Sequence, residues 1–405
     1  MATEGAPIAQ RSRRRLYFAH RDMDYYLSWI VGRRIFEGSD EGECLAVAGR
    51  IADGDAASWQ EAWAGLAEEV EAQADRALHA GDREAARRAY LRACTYHRAP
   101  LFIMSPQDPR VRALERRLRA CFQSAAALAG PPIESVQVPF QGRLLPGYFW
   151  QPRDVPAKRP TLIVAGGLET FAEDCYFMVG PAGPLHGYNV ITADLPGQGT
   201  NPDQGLYFEA RMELPVRALV DYTLARPEVD PNRLALFGFS WGGHIVFKGA
   251  EHEPRLGALI ANPPMPDVFR AALAKQAGHS KSDPNARTVF AQIAWRFGLR
   301  ISLHPGDLAR RLAKAYAYLR YGRADVRRIR CPALLLAGEG EAAITLKLAR
   351  RTYAQLPNPA KRLVIFTAEE GGEAHCQVDN LALPNGVMFD WLQAVFGQSA
   401  AATGS

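Results

Sequence analysis

The sequence predicts an α/β fold: a mainly parallel, doubly wound sheet with a helical N-terminal domain before it and a helical cap inserted into it. Three observations carry this reading. From about residue 160 onward, short apolar runs without alternation recur between helical stretches, as strands buried on both faces do. Before about residue 130, apolar residues recur only at helical spacing. One connection between successive apolar runs is too long for a crossover helix.

Taken in order, residues 1–20 are polar and then basic, with no apolar core of a secretory signal after them, and read as a flexible N-terminus. Residues 21–130 read as the helical domain. Its apolar spacing is clearest from Trp59 through Trp63 to Val70 and from Ala85 to Tyr96. Gly81-Asp82 ends one helix and caps the next, because glycine tolerates the turn and aspartate accepts the first free amide hydrogens. Ala129-Gly-Pro-Pro132 breaks the helical pattern and marks the boundary. Residues 131–397 read as the sheet domain. It opens with a hairpin, Ser135 to Phe140 and Arg143 to Trp150 around Gln141-Gly142. The buried strands are Leu162 to Ala165, Val190 to Ala193, Leu234 to Phe237, Ala258 to Ala261, Leu334 to Ala337 and Leu363 to Phe366. The long connection, about 262–330, reads as a cap over the carboxyl edge of the sheet, where open α/β folds bind ligands. Residues 398–405 are small and polar and read as a disordered tail.

With 405 residues, 48% of them hydrophobic and 22% charged, the chain has the composition of globular domains and can bury a large core. The net charge of +5 comes largely from arginines alternating with acids on helical stretches such as Arg110 to Arg119. No basic strip interleaved with aromatics accompanies them, so nucleic acid is not the expected partner, whereas an anionic substrate fits. No run approaches the roughly 20 apolar residues of a membrane span. A cytoplasmic location is expected. The six cysteines form no Cys-x-x-Cys pair and have no histidine at metal spacing, so they read as reduced thiols, and no metal site is expected.

The chemistry centres on Gly238-Phe239-Ser240-Trp241-Gly242, which follows an apolar run and precedes a helical stretch. That strand, turn and helix is the context of a nucleophile elbow, with Ser240 as the reactive hydroxyl. A serine hydroxyl needs a base, and His375, in the glycine-containing loop after the last strand, is placed to be it. The orienting acid belongs after the strand Leu334 to Ala337, where Gly338-Glu339-Gly340-Glu341 offers Glu341, with Glu339 as its rival. Donors for a developing oxyanion are expected from the amide of Trp241 and from the turn Gly166-Gly167-Leu168-Glu169, with Leu168 preferred to Gly167. Asp194 to Gly199 reads as structural support for the site. Cys376 and His244 read as packing residues beside it.

Several segments together resemble a branch of the α/β-hydrolases: the fermentation-respiration-switch-like esterases, the 2,6-dihydroxypseudooxynicotine hydrolases and the fungal pigment hydrolases that shorten polyketides. They are Gly81-Asp82 with Ala89 to Arg98, Gly166 to Glu173, Asp194 to Gly199, Gly238 to Gly243 and Glu373 to Gln377. The resemblance implies an α/β-hydrolase fold whose helical N-terminal domain closes over the site, a homodimer, no cofactor, and cleavage of a carbon-carbon bond next to a ketone. It also implies substrate contacts from Glu173 and Tyr96, for which a surface helix-start glutamate and a core aromatic are the structural alternatives. The chain departs from the family at Ala172, where a lysine is usual, at Lys248, where an arginine is usual, and at Glu341, where an aspartate is usual. The expected activity is hydrolysis of a small-molecule carbonyl substrate of polyketide or aromatic type, a β-diketone, aryl ketone or ester. The same residues also serve elimination, cyclisation or acyl transfer, and a non-catalytic ligand receptor on this fold is the third alternative.

Overall fold

The computed structural model describes residues 11–153, 158–267, 284–300 and 304–402. Among them, eight strands form one sheet in the order β1-β2-β4-β3-β5-β6-β7-β8. β1 (Glu134–Phe140) and β2 (Arg143–Trp150) are the expected hairpin, and β2 pairs antiparallel with β4 (Asn189–Ala193). β3 (Arg159–Ala165), β4, β5 (Val229–Phe239), β6 (Ala258–Asn262), β7 (Ala333–Gly338) and β8 (Lys361–Phe366) run parallel. Each apolar run singled out in the sequence lies inside one of these six strands.

Alternation survives inside those runs even though both faces are apolar. On β3, Leu162 and Val164 enter one core and Ile163 and Ala165 the other. The second core is closed by α7 (Glu213–Leu224) and α8 (Gly242–His252). The first extends without a break from the sheet into the N-terminal helices α1 (Arg21–Gly32), α2 (Glu41–Ala48), α3 (Ala56–His79), α4 (Arg83–Arg98) and α5 (Val111–Leu128). The helical half therefore shares its core with one face of the sheet. Between α3 and α4, Gly81 has a φ of +81° and the Asp82 carboxylate accepts the Ala85 amide hydrogen at 3.0 Å.

Buried ion pairs tie the two halves across α6 (Ala172–Val179). The Asp174 carboxylate binds Arg33, just after α1, and Arg98 at the end of α4; all three side chains are buried. Arg98 also donates to the Glu169 carbonyl at 2.8 Å. The cap contributes α9 (Pro284–Arg296) and α10 (Pro305–Tyr321), and its residues 268–283 and 301–303 lie outside the described residues. From α9, Arg296 donates to the carbonyls of Gly197 (2.9 Å) and Glu169 (3.3 Å), and Gln292 to that of Met104 (2.8 Å). α11 (Ala343–Gln355) follows β7, and α12 (Ala382–Ala402) ends the described chain.

Both chain ends differ from the sequence expectation. Residues 11–20, expected to be flexible, have no regular structure, but carboxylates accept most of their amide hydrogens. Asp24 accepts the amides of Leu16, Tyr17 and Phe18, and Asp53 those of Ala19 and His20. Carboxylates supply the acceptors that a helix or strand would otherwise provide. At the other end, helix continues through residues 398–402, where the sequence predicts a disordered tail. Residues 1–10 and 403–405 lie outside the described residues.

Burial alone would raise the Asp174 carboxyl, but Arg98 and Arg33 outweigh it and hold it below the usual carboxylate range. Asp174→Ala strands two buried guanidinium groups and is expected to lower stability by about 3–5 kcal/mol at neutral pH. A carboxyl with a lowered folded-state pKa stabilises above its unfolded value, about 3.9, and loses that contribution as pH falls through the folded value. Urea titrations of the two proteins should therefore converge below about pH 4 and stay apart above it.

Candidate active site

Ser240 sits where β5 ends and α8 begins, with a φ of +55°, a left-handed conformation rare for a residue with a side chain. The surrounding glycines make the turn possible. A Cβ on Gly238 would lie 2.2 Å from the Gly242 carbonyl oxygen, and one on Gly242 would lie 2.2 Å from that of Ala165. The Ser240 amide donates to the Asn262 carbonyl at 2.7 Å, which fixes the turn against the end of β6.

His375 comes from the loop after β8. Its Nε2 stands 3.0 Å from Ser240 Oγ and its Nδ1 2.6 Å from Glu341 Oε1. Glu341 is buried in the turn after β7, its amide donating back to the Gly338 carbonyl. The rival, Glu339, faces elsewhere: its carboxylate accepts the Ala368 amide at 2.9 Å and braces the loop after β8. The extra methylene of a glutamate makes two positions on one turn equivalent in sequence; the backbone direction separates them.

The turn after β3 closes against the hydroxyl. A Cβ on Gly167 would lie 2.9 Å from the Ser240 Cβ and 3.3 Å from Oγ, so only glycine lets this backbone come so near. The Gln198 side-chain amide donates to the carbonyls of Gly166 (2.6 Å) and Gly167 (2.9 Å), and the Thr170 hydroxyl donates to that of Gly167 (2.9 Å). In a trans peptide the N–H points opposite to the C=O, so these bonds also fix the directions of the Gly167 and Leu168 amides. The supporting role expected of Asp194 to Gly199 thus resides in Gln198. Trp241 opens α8, its ring 5.6 Å from that of Phe297.

The cavity at Ser240 is narrow, about 70 Å³, and is walled by Leu168, Glu169, His375 and Cys376 together with Tyr25 and Trp29 of α1. Arg11 completes the wall. None of the last three was singled out in the sequence. Two aromatics four apart on an amphipathic helix are indistinguishable from core, and an arginine in a basic leader carries no signal at all. A larger cavity of about 910 Å³ lies between α9 and α10 beside Tyr207, Trp295 and Lys314, and holds none of the expected site residues.

Glu173 and Tyr96 do not line the Ser240 cavity. Glu173 is buried on α6, its Oε1 accepting from Arg119 (2.9 Å) and Tyr148 (2.7 Å), while Arg119 also reaches Asp194 at 3.0 Å. Burial, with Glu173 beside it, raises the Asp194 carboxyl despite Arg119. Tyr96 packs against Trp63 and bonds the Glu43 carboxylate at 2.6 Å, inside the helical half. Tyr96 has the position of a core aromatic, whereas Glu173 begins a helix but is buried, unlike the surface glutamate of the structural alternative. His244 is buried beside Trp241, and burial pushes its imidazole down to about 3, so it is neutral. Elsewhere, Glu71, His97 and Cys121 bring donor atoms within 4.8 Å of one another, but Arg117 already holds Glu71 at 2.8 Å and opposes a cation there.

Residues 144–379 match the alpha/beta hydrolase family, more than half of the chain. The hydrolase ORFZ of Pyricularia oryzae is 31% identical over 94% of this chain and 98% of its own. The 20-hydroxy-prefusarin hydrolase of Gibberella moniliformis is 30% identical over 94% and 97%. Among solved structures, a 2,6-dihydroxy-pseudo-oxynicotine hydrolase superposes with a TM-score of 0.71 over 90% of this chain and 95% of its own, at 23% identity, a likeness of fold. An elbow at the end of the central strand, an eight-stranded sheet and these full-length relatives agree: the chain is an enzyme of the alpha/beta hydrolase family.

Proposed function

We propose that the chain is a serine hydrolase that cleaves an activated carbonyl substrate of polyketide or aromatic secondary-metabolite type, at the carbon-carbon bond of a β-diketone or aryl ketone, or at an ester. The observation that carries the reading is the continuous chain of contacts from Ser240 Oγ to His375 Nε2 and from His375 Nδ1 to the buried Glu341 carboxylate. The substrate class is supported by a full-length relative named for hydrolysis of 20-hydroxy-prefusarin.

Ser240 Oγ attacks the carbonyl carbon as its proton passes to His375 Nε2. Glu341 holds the Nδ1–H and stabilises the imidazolium that forms. The oxyanion faces the amides of Trp241 and Leu168. Collapse expels an enolate or alkoxide, which takes the proton from His375, and leaves an acyl group on Ser240. Water, giving its proton to His375, then releases the acid. A cavity of about 70 Å³ holds a small acyl portion only, since drug-sized ligands occupy roughly 300–1,000 Å³. Larger substrates require α1, which supplies Tyr25 and Trp29 to its wall, to move.

Ser240→Ala is expected to reduce turnover to background, a loss of roughly 10⁶-fold, and to abolish labelling by a fluorophosphonate; full activity in this variant sinks the covalent scheme. Glu341→Gln should lower kcat about 10³–10⁴-fold, whereas Glu339→Gln should change it no more than about twofold; the reverse order would move the acid to Glu339. Gly167→Ala, which pushes against the Ser240 Cβ, should cost roughly 10²-fold in kcat and lower the melting temperature. In ¹⁸O-water the acid product should carry the label, and its absence would assign the site to elimination or acyl transfer.

A further inference from the structure

The segment 11–20 ends on the candidate catalytic loop. The Glu373 carboxylate accepts the Ser12 hydroxyl (2.8 Å) and the amides of Arg13 (2.8 Å) and Arg14 (2.7 Å). Two residues on, the His375 amide donates to the Arg11 carbonyl at 2.6 Å. The arm is therefore anchored on both sides of Ala374, and it delivers the Arg11 side chain into the wall of the Ser240 cavity.

There the guanidinium carbon lies 4.9 Å from the ring centre of Tyr25 and 5.6 Å from that of Tyr26. The aromatic faces hold the cation without supplying it with a counter-ion. Among the described residues, no carboxylate oxygen lies within ion-pairing distance of this guanidinium. Glu169, the acid on the cavity wall, accepts the Tyr26 hydroxyl at 3.3 Å and, with Asp22, favours the guanidinium charge from beyond ion-pairing distance. A guanidinium presents five N–H donors in a plane and loses its charge at no working pH. Set beside a nucleophile in the wall of a narrow cavity, it is a receptor for negatively charged oxygen.

We propose that Arg11 is the specificity-determining residue of the Ser240 cavity, binding an anionic oxygen of the substrate, a carboxylate or the enolate of a 1,3-diketone, and so selecting acidic over neutral carbonyl compounds. This rests on Ser240 being the nucleophile. The N-terminal arm is then part of the binding site, and Glu373, Asp24 and Asp53 are the carboxylates that anchor it.

The test compares kcat/KM in the full chain and in Arg11→Met and Arg11→Lys for two substrate pairs. The first pair is 4-nitrophenyl hydrogen succinate against 4-nitrophenyl butyrate, which reads carboxylate selection. The second is a 1,3-diketone against its 2,2-dimethyl derivative, which cannot form an enolate. A charge-assisted hydrogen bond of about 1.5–3 kcal/mol corresponds to roughly 10–150-fold. The acidic-to-neutral ratio of at least one pair should fall tenfold or more in Arg11→Met, through KM, and recover in part in Arg11→Lys. A fall of less than tenfold in both ratios overturns the proposal. If Arg11→Met does not fold, the wild type decides alone: glutarate should slow fluorophosphonate labelling of Ser240 and uncharged glutaramide should not, and equal effects overturn the assignment. Failure of the probe to label the wild type at all would remove Ser240 as nucleophile, a result distinguishable from labelling without anion selectivity.

Discussion

The Arg98 guanidinium is the contact on which the rest of the molecule leans. It is buried at the end of α4, stacked 4.1 Å above Phe102 and 5.1 Å from Phe171, and it divides its hydrogen bonds between the Asp174 carboxylate and the Glu169 carbonyl. One bond secures the helical half to α6; the other secures the turn beside Ser240. Arg296 of the cap reaches the same carbonyl. Three parts of the chain thus meet at one peptide oxygen next to the candidate active site. Charged donors at a buried carbonyl are stronger than neutral ones and costly to leave unpaired, so the helical half, the cap and the sheet are held in a common register.

That register explains how a narrow cavity is assembled from distant sequence. The sheet supplies Ser240, His375 and Glu341 at the carboxyl ends of β5, β8 and β7, where open α/β folds present their functional groups. The helical half supplies the roof through Tyr25 and Trp29. Because its core is continuous with one face of the sheet, the roof moves only by sliding packed side chains or by repacking them, a two-position behaviour more than a gradual one.

Much of the fold was legible because it rests on short-range physics. Six apolar runs became six parallel strands, and Gln141-Gly142 became a hairpin turn with φ of +48° and +73°. Gly81-Asp82 separated two helices. The elbow was legible for the same reason, since its glycines are required by contacts within a few residues of Ser240. The choice between Glu339 and Glu341 was not, because it depends on which way the chain leaves β7 relative to β8. Glu173 and Tyr96 followed family positions, yet their partners, Arg119 and Glu43 from the helical half and Tyr148 from β2, lie elsewhere in the sequence. Arg11 was invisible for a further reason: its arm has no periodicity, and its order comes from carboxylates up to about 360 residues distant.

The left-handed backbone at Ser240 also restricts which nucleophiles this scaffold admits. Threonine carries the same hydroxyl, but a β-branched side chain at a φ of +55° is a steric outlier. Cysteine has the same single branch as serine and adds no second substituent at Cβ. The chemically closest replacement is therefore the conformationally forbidden one, and any drift in reactivity at this position is channelled from oxygen toward sulfur.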